Sequence, residues 1–381
     1  MVKSNEKLYK AYKFRAYPEG DQCIILNKTF GCVRFIYNKL LEDKSNYYKE
    51  NKKNLKREVT YYKKQEQYSF LKEVDSLALA NAKLNLEKSF KNFFEKRSKY
   101  PTFHKKGRND SYTTNMVNGN IKLSDKYITL PKVGKLKIKK HRQIKENEII
   151  KAVTVSKNGN CYYVSVLVEY NNTIELKDKT SIPYDKVIGI DYSSPLFYVD
   201  SNGNSPEELK SYRKMEKKLS KEQRRLSRKI GNKKGEKKSN NYIKQLNRVN
   251  KIHRKITNQR LDYLHKLSNQ ITNEYYLICF EDLNLSNIKR SLKLGKATSD
   301  NGFGMFRNFC EYKAYNKGNY TIKVDKWYAS TKTCNHCNYK NNDITLSTKE
   351  WICPNCKALN KRDENAALNI KQEGYRLFLA E

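Results

Sequence analysis

Leucines and aromatics recur at intervals of three and four through GCVRFIYNKLLEDKSNYY and again through SLALANAKLNLEKSFKNFFEKR. That period predicts helices over residues 20–104, with basic side chains on the faces away from the apolar stripes. After Tyr100 the period changes. The stretches YITLPKVGKLKIKK and AVTVSKNGNCYYVSVLVEY alternate apolar with polar positions, as half-buried strands do, and Asn-Gly inside VSKNGNCYY predicts a tight hairpin. Residues 105–170 therefore read as a β-rich domain. Lys7 to Ala16 (KLYKAYKFRA) alternates in the same way and is a candidate strand of that domain, which makes the helices an insertion. Residues 171–186 are polar and turn-rich, and read as a linker.

Beyond the linker, KVIGIDYSSPLFYVDSNGN predicts strand, turn, strand. The segment Glu207 to Gln270 predicts two strongly basic helices broken near GNKKGEKKSNN, suited to a nucleic-acid backbone. EYYLICFEDLNLSN and YTIKVDKWY predict two more strands, and RDENAALNIKQEGYRLFL an amphipathic helix. Strands alternating with helices point to a mixed α/β layer architecture after residue 186.

Charge adds a partner to this picture. Against 40 acidic residues stand 78 lysines and arginines, a net charge of +38 over 381 residues, while 38% hydrophobic residues still supply core material. Such a chain is expected to fold and to work against a polyanion, through a contact that releases counterions and weakens with salt. No apolar run approaches the roughly 20 residues of a membrane span. The opening MVKSNEKLYKAYKF has no secretory signal pattern, so a reducing cytoplasm is the expected compartment and no membrane partner is expected.

Four of the nine cysteines form C-x2-C-x15-C-x2-C at Cys334, Cys337, Cys353 and Cys356, flanked by Trp327 and Trp351. Two knuckles of this spacing can bring four thiolates to about 2.3 Å from one Zn²⁺ in a closed, structural site. His336 is not needed as a ligand. Cys23, Cys32, Cys161, Cys279 and Cys310 lie in or beside apolar stretches and read as small core residues.

Three acids stand at telling places. Asp191 ends VIGID, Glu281 ends YYLICFE, and Asp363 opens the last helix just after the cysteines. Carboxylates at the ends of buried strands, with little histidine around them, suit hard divalent ions, Mg²⁺ or Mn²⁺. Two such ions can activate water and stabilise the leaving oxygen in phosphodiester hydrolysis. Taken singly, each acid has a plainer reading: a helix cap, a turn, a solvated strand terminus.

Together these features resemble the TnpB (OrfB) proteins of bacterial insertion sequences, relatives of the type V CRISPR effectors. The resemblance runs through KAYKFRAYPEGDQ, FGCVRFIYNKLLE, KSFKNFFEK, YPTFHKK with SYTTN, LPKVGKLKIKKHR, GIDYSS, FEDLNL, WYASTKTCNHC, WICPNC and KRDENAALNI. It implies a multidomain α+β and α/β protein. A β-rich wedge domain (1–19 and 105–180) would hold a helical recognition domain (20–104). An RNase H-like RuvC nuclease domain (186–326 and 361–381, with the basic helical insert at about 207–270) would carry a zinc ribbon (327–360).

The resemblance also implies catalytic metal ligands at Asp191, Glu281 and Asp363. It implies a guide RNA from the transposon end, and a double-stranded DNA target cut beside a short flanking motif, with sequence read mainly by base pairing. Tyr48, Asn81, Thr114 and Asn115 fall where relatives approach that motif, and Asn and Thr suit adenine edges and thymine methyls. Where many relatives read GIDLG this chain reads GIDYSS, which keeps the acid and changes its neighbours. Two rivals share most of these features: a guide-dependent repressor that binds without cutting, and a zinc-ribbon protein that reads DNA unaided.

Overall fold

The alternation of KLYKAYKFRA becomes a strand, β1 (Lys3–Tyr17), and the capped apolar stripe after it becomes one long helix, α1 (Gly20–Asn51). In this computed structural model the described residues are 3–107, 110–193, 196–206, 211–230, 238–283, 302–345 and 347–380. They fall into two compact units, Lys7–Asn172 and Thr173–Glu381, the latter with the first six residues.

In the N-terminal unit, α1 is followed by the short α2 (Val59–Lys63) and by α3 (Ser76–Phe94), whose first turn is capped by Asp75 accepting from the Leu77 N–H at 3.0 Å. Ile36, Leu40 and Leu41 of α1 and Leu79, Ala82 and Leu86 of α3 form one apolar cluster with Tyr62 and Leu71. The strands β2 (Ser111–Asn115), β3 (Lys122–Leu123), β4 (Tyr127–Leu130), β5 (Gly134–Lys139), β6 (Ile149–Asn158) and β7 (Cys161–Glu175) complete a sheet in the order β2-β6-β7-β1-β5-β4-β3. β1 thus lies inside the sheet, antiparallel to β5 with Ala16 beside Ile138. The β6–β7 hairpin closes on the pair Asn158–Cys161, with Gly159 at φ 61° as the first loop residue. The expected linker is shortened, because β7 runs on to Glu175 with Ile174 buried.

In the C-terminal unit, β8 (Val187–Asp191) and β9 (Val199–Asp200) form an antiparallel pair. The basic helices are α4 (Ser211–Ser227) and α5 (Asn240–Glu274), which bury Leu219, Val249, Ile252 and Ile256 against each other. Then come β10 (Leu277–Glu281), α6 (Phe303–Asn316), β11 (Tyr320–Val324), a two-stranded β12 (Glu350–Ile352) and β13 (Leu359–Lys361), and α7 (Arg362–Ala380). The main sheet runs β11-β10-β8-β9, with β8, β10 and β11 parallel. The protein is therefore a mixed α/β, multidomain chain. Parts of several predicted features lie outside the described residues: positions 194–195 of the strand-turn-strand segment, the start of the 207–270 segment, its break at 231–237, and the part of FEDLNL beyond Leu283.

Candidate active site and metal centre

Strand register and two glycines bring the three acids toward one end of the sheet. Ile190 of β8 stands beside Phe280 of β10, so Asp191 and Glu281 end adjacent parallel strands at the same edge of the sheet. Helix α7 lies directly on those strands. A Cβ at Gly189 would collide with the Ala367 carbonyl and come within 2.6 Å of the Lys371 nitrogen, while one at Gly374 would strike the Cys279 sulfur. Only residues without a side chain allow so close an approach. The contact sets the first turn of α7, which carries Asp363, toward the ends of β8 and β10.

Asp191 is 6% exposed, and its pKa is held well above the carboxylate range, first by burial and then by the negative charges of Glu281 and Asp363. Burial alone pushes Glu281 up to about 7. The Ser193 hydroxyl donates to Asp363 Oδ2 at 3.2 Å, and Arg362 reaches Oδ1 through Nε at 2.9 Å. Asp191 lies within electrostatic reach of Glu281 and Asp363, and with two acids resisting ionisation a cation there would relieve the site. Oxygen donors of this kind fit a hard divalent ion.

The four cysteines converge as their spacing predicted. Their sulfurs all lie within 4.8 Å of one another, Cys334 and Cys356 at 3.7 Å and Cys337 and Cys353 at 3.6 Å. Tetrahedral thiolates at the usual zinc–sulfur bond length stand about 3.8 Å apart, so the cluster fits zinc. The two knuckles are built alike. Asn338 N–H donates to the Cys334 carbonyl and Lys357 N–H to that of Cys353, with Asn338 and Lys357 both at φ 60°. In each knuckle the first cysteine also donates its own N–H further along, to Tyr339 or Ala358. Hydrogen bonds to its sulfur, first from the Tyr339 backbone N–H and then from Asn355, draw the Cys337 thiol pKa down and favour its thiolate, while the neighbouring sulfurs hold Cys356 up.

Two asparagines one turn apart on α7 hold the first knuckle. Asn365 donates to the Thr333 carbonyl at 2.8 Å and accepts from Asn335 N–H at 2.9 Å. Asn369 donates to the Ser330 and Thr333 carbonyls at 2.8 and 2.7 Å, and accepts from Asn335 Nδ2 at 3.2 Å. Both lie in NAALNI, and their spacing of four was the available signal for a shared polar face. Ser193 was visible only as a departure in GIDYSS.

The four residues assigned to the flanking motif fare differently. Tyr48 is 58% exposed on α1. Asn81 is half-buried and donates through Nδ2 to the carbonyls of Leu77 and Thr113, at 2.9 and 3.0 Å, with Asn115 Oδ1 at 3.4 Å. Thr114 is 0% exposed and its hydroxyl is enclosed. Direct base contact by Thr114 is therefore corrected: β2 alternates, and Thr114 shares the inward parity of Tyr112.

This fold and site define a multidomain α/β protein with acids at the ends of two parallel strands and a four-cysteine cluster that fits zinc. Residues 165–292 match the OrfB family of IS605 elements, described as "Probable transposase", and 303–370 match "Cas12f1-like, TNB domain". A Streptomyces pristinaespiralis protein named "Putative RNA-guided DNA endonuclease" is 33% identical over 97% of this chain and 90% of its own length. The "Putative RNA-guided DNA endonuclease InsQ" of Escherichia coli (strain K12) is 28% identical over 98% of this chain and 94% of its own. The chain belongs to the TnpB (OrfB) family. Among solved structures, a Cas12f1 bound to its single-guide RNA and target DNA shares the fold, with a TM-score of 0.59 at 14% identity over 96% of this chain and 99% of that one. A further match, over 8–53, is described as "Helix-turn-helix domain", yet here those residues form a strand and one uninterrupted helix. Among the described residues no helix is long and apolar enough to cross a membrane.

Proposed function

We propose that this chain is an RNA-guided DNA endonuclease of an insertion sequence, which cuts DNA complementary to a transposon-derived guide RNA beside a short flanking motif. The observation that supports the reading is that Asp191 and Glu281 end adjacent parallel strands, with Asp363 of α7 close enough to raise the pKa of Asp191. In this reading the three acids hold two Mg²⁺ or Mn²⁺ ions in an RNase H-like nuclease domain. When bound, such ions supply a deprotonated water as nucleophile and neutralise charge on the leaving oxygen.

The chain's own residues do the rest. Asp191 and Glu281 give up their protons to become ligands, and burial of β8 fixes the backbone that carries Asp191. Ser193 and Arg362 fix the Asp363 carboxylate. The charge of +38 holds the guide and its heteroduplex by their phosphates, leaving sequence to base pairing. Zinc in the ribbon is structural.

The test is a plasmid carrying the sequence matched by the co-purifying RNA, incubated with the protein and Mg²⁺. Linear product supports the reading. Tight binding to an intact plasmid would favour a repressor, and site-specific binding that survives RNase would favour unaided DNA recognition.

A further inference from the structure

Trp327 is the most exposed large apolar side chain among the described residues, at 81%. The chain has two tryptophans, and the other, Trp351, is 7% exposed within the cysteine ribbon. Trp327 follows β11 by three residues, and Val324 at the end of β11 stands in register with Glu281. The Asp282 N–H donates to the Val324 carbonyl at 2.9 Å, which fixes the two strand ends together. Since β8, β10 and β11 are parallel, the chain that carries Trp327 leaves the sheet at the end where Asp191 and Glu281 stand.

Its turn is an ordered one. Asp325 accepts the Trp327 N–H at 2.7 Å and the Tyr328 N–H closes on the Asp325 carbonyl at 3.0 Å, so Tyr328 packs inward while Trp327 points out. The Lys326 ammonium lies over one face of the indole, 5.0 Å from its centroid, so the opposite face is the one a base would use. A flat aromatic face with a lysine beside it is the combination that stacks a base and pairs its phosphate, and it tolerates any sequence because every base has a π-face.

We propose that Trp327 with Lys326 forms a stacking subsite for one base of the single-stranded DNA entering the nuclease site. The subsite positions the strand and takes no part in the chemistry. This inference rests on the nuclease reading for its role in cleavage, but the stacking is open to a separate test.

That test uses the full chain with its zinc and, as probe, a short single-stranded oligodeoxynucleotide. Tryptophan emission is followed during a titration whose saturation is read independently from the anisotropy of a labelled strand. Binding quenches the emission of the wild type and leaves that of Trp327→Phe unchanged, because Trp351 is enclosed. Unquenched wild-type emission at saturation overturns the subsite. In the guided cleavage assay, Trp327→Ala cuts roughly tenfold more slowly with target binding unchanged, and Trp327→Tyr recovers most of the rate. An alanine variant that cuts like the wild type also overturns it. If the wild type itself does not cut, the nuclease reading falls and the quenching result alone decides the subsite.

Discussion

Ser193 Oγ donates a hydrogen bond to Asp363 Oδ2 across 3.2 Å, joining the residue two places after the first acid to the third acid, 170 positions along the chain. One of the two residues that set GIDYSS apart from GIDLG thus bonds the third acid. A single hydrogen bond to a charged group contributes about 1.5–3 kcal/mol. Ser193→Ala is expected to slow cleavage by roughly tenfold and to raise the Mg²⁺ concentration needed for half-maximal rate, with zinc content unchanged. Cleavage rates across a Mg²⁺ series check this.

Glu281 makes a prediction about pH. Its folded pKa is raised from 4.5 to about 7 by burial, and Asp191 moves in the same direction. The folded state therefore binds these protons more tightly than the unfolded state does. The resulting stability is fully present below the unfolded value and is lost as pH rises through about 7. In zinc-replete, magnesium-free buffer, the melting temperature of the wild type should fall relative to Glu281→Gln as pH climbs through this window. Added Mg²⁺ should narrow the gap at the upper end. Parallel thermal melts of the two proteins read the difference.

The asparagine clamp predicts a separation between zinc binding and ribbon docking. Asn365→Ala removes a donor to Thr333 and an acceptor for Asn335 while leaving all four sulfurs in place. Stability should drop by about 1–3 kcal/mol as buried partners lose their bonds. Zinc stoichiometry stays at one, and limited proteolysis between β11 and Cys334 speeds up. Cys334→Ser should instead release zinc and lower folding yield, because structural metal binding is part of the folding free energy.

Thr114 tests the corrected assignment. Its hydroxyl is buried without a partner, so Thr114→Val exchanges an unsatisfied polar atom for a methyl of similar size. The variant is expected to melt at or above the wild-type temperature and to keep the same flanking-motif preference. A library of randomised flanking sequences, scored by depletion, measures that preference.

Much of this was legible because the relevant signals are local. The alternation of KLYKAYKFRA announced β1, Gly159 marked the hairpin, and cysteine spacing announced the zinc cluster. The extension of β7 was not legible, since one buried Ile174 among polar neighbours carries no period. Thr114 was misread because SYTTN gives a strand but not which parity faces inward, and that is decided by packing. Strand-end positions singled out Asp191 and Glu281, yet the approach of α7, which carries Asp363, depends on Gly189 and Gly374 letting that helix touch the sheet. Contacts between segments so distant in sequence leave no periodic trace. The bond from Ser193 to Asp363 is of the same kind.

The central claim is that Asp191 serves metal at the cut and nothing else. Asp191→Ala, loaded with its co-purifying RNA, should bind the matching DNA within about twofold of the wild type, since the carboxylate makes no phosphate-neutralising contact. It should cut at least about a thousandfold more slowly in Mg²⁺, the scale expected when a group stabilising the transition state is removed. Cleavage by this variant at the wild-type rate would contradict the account.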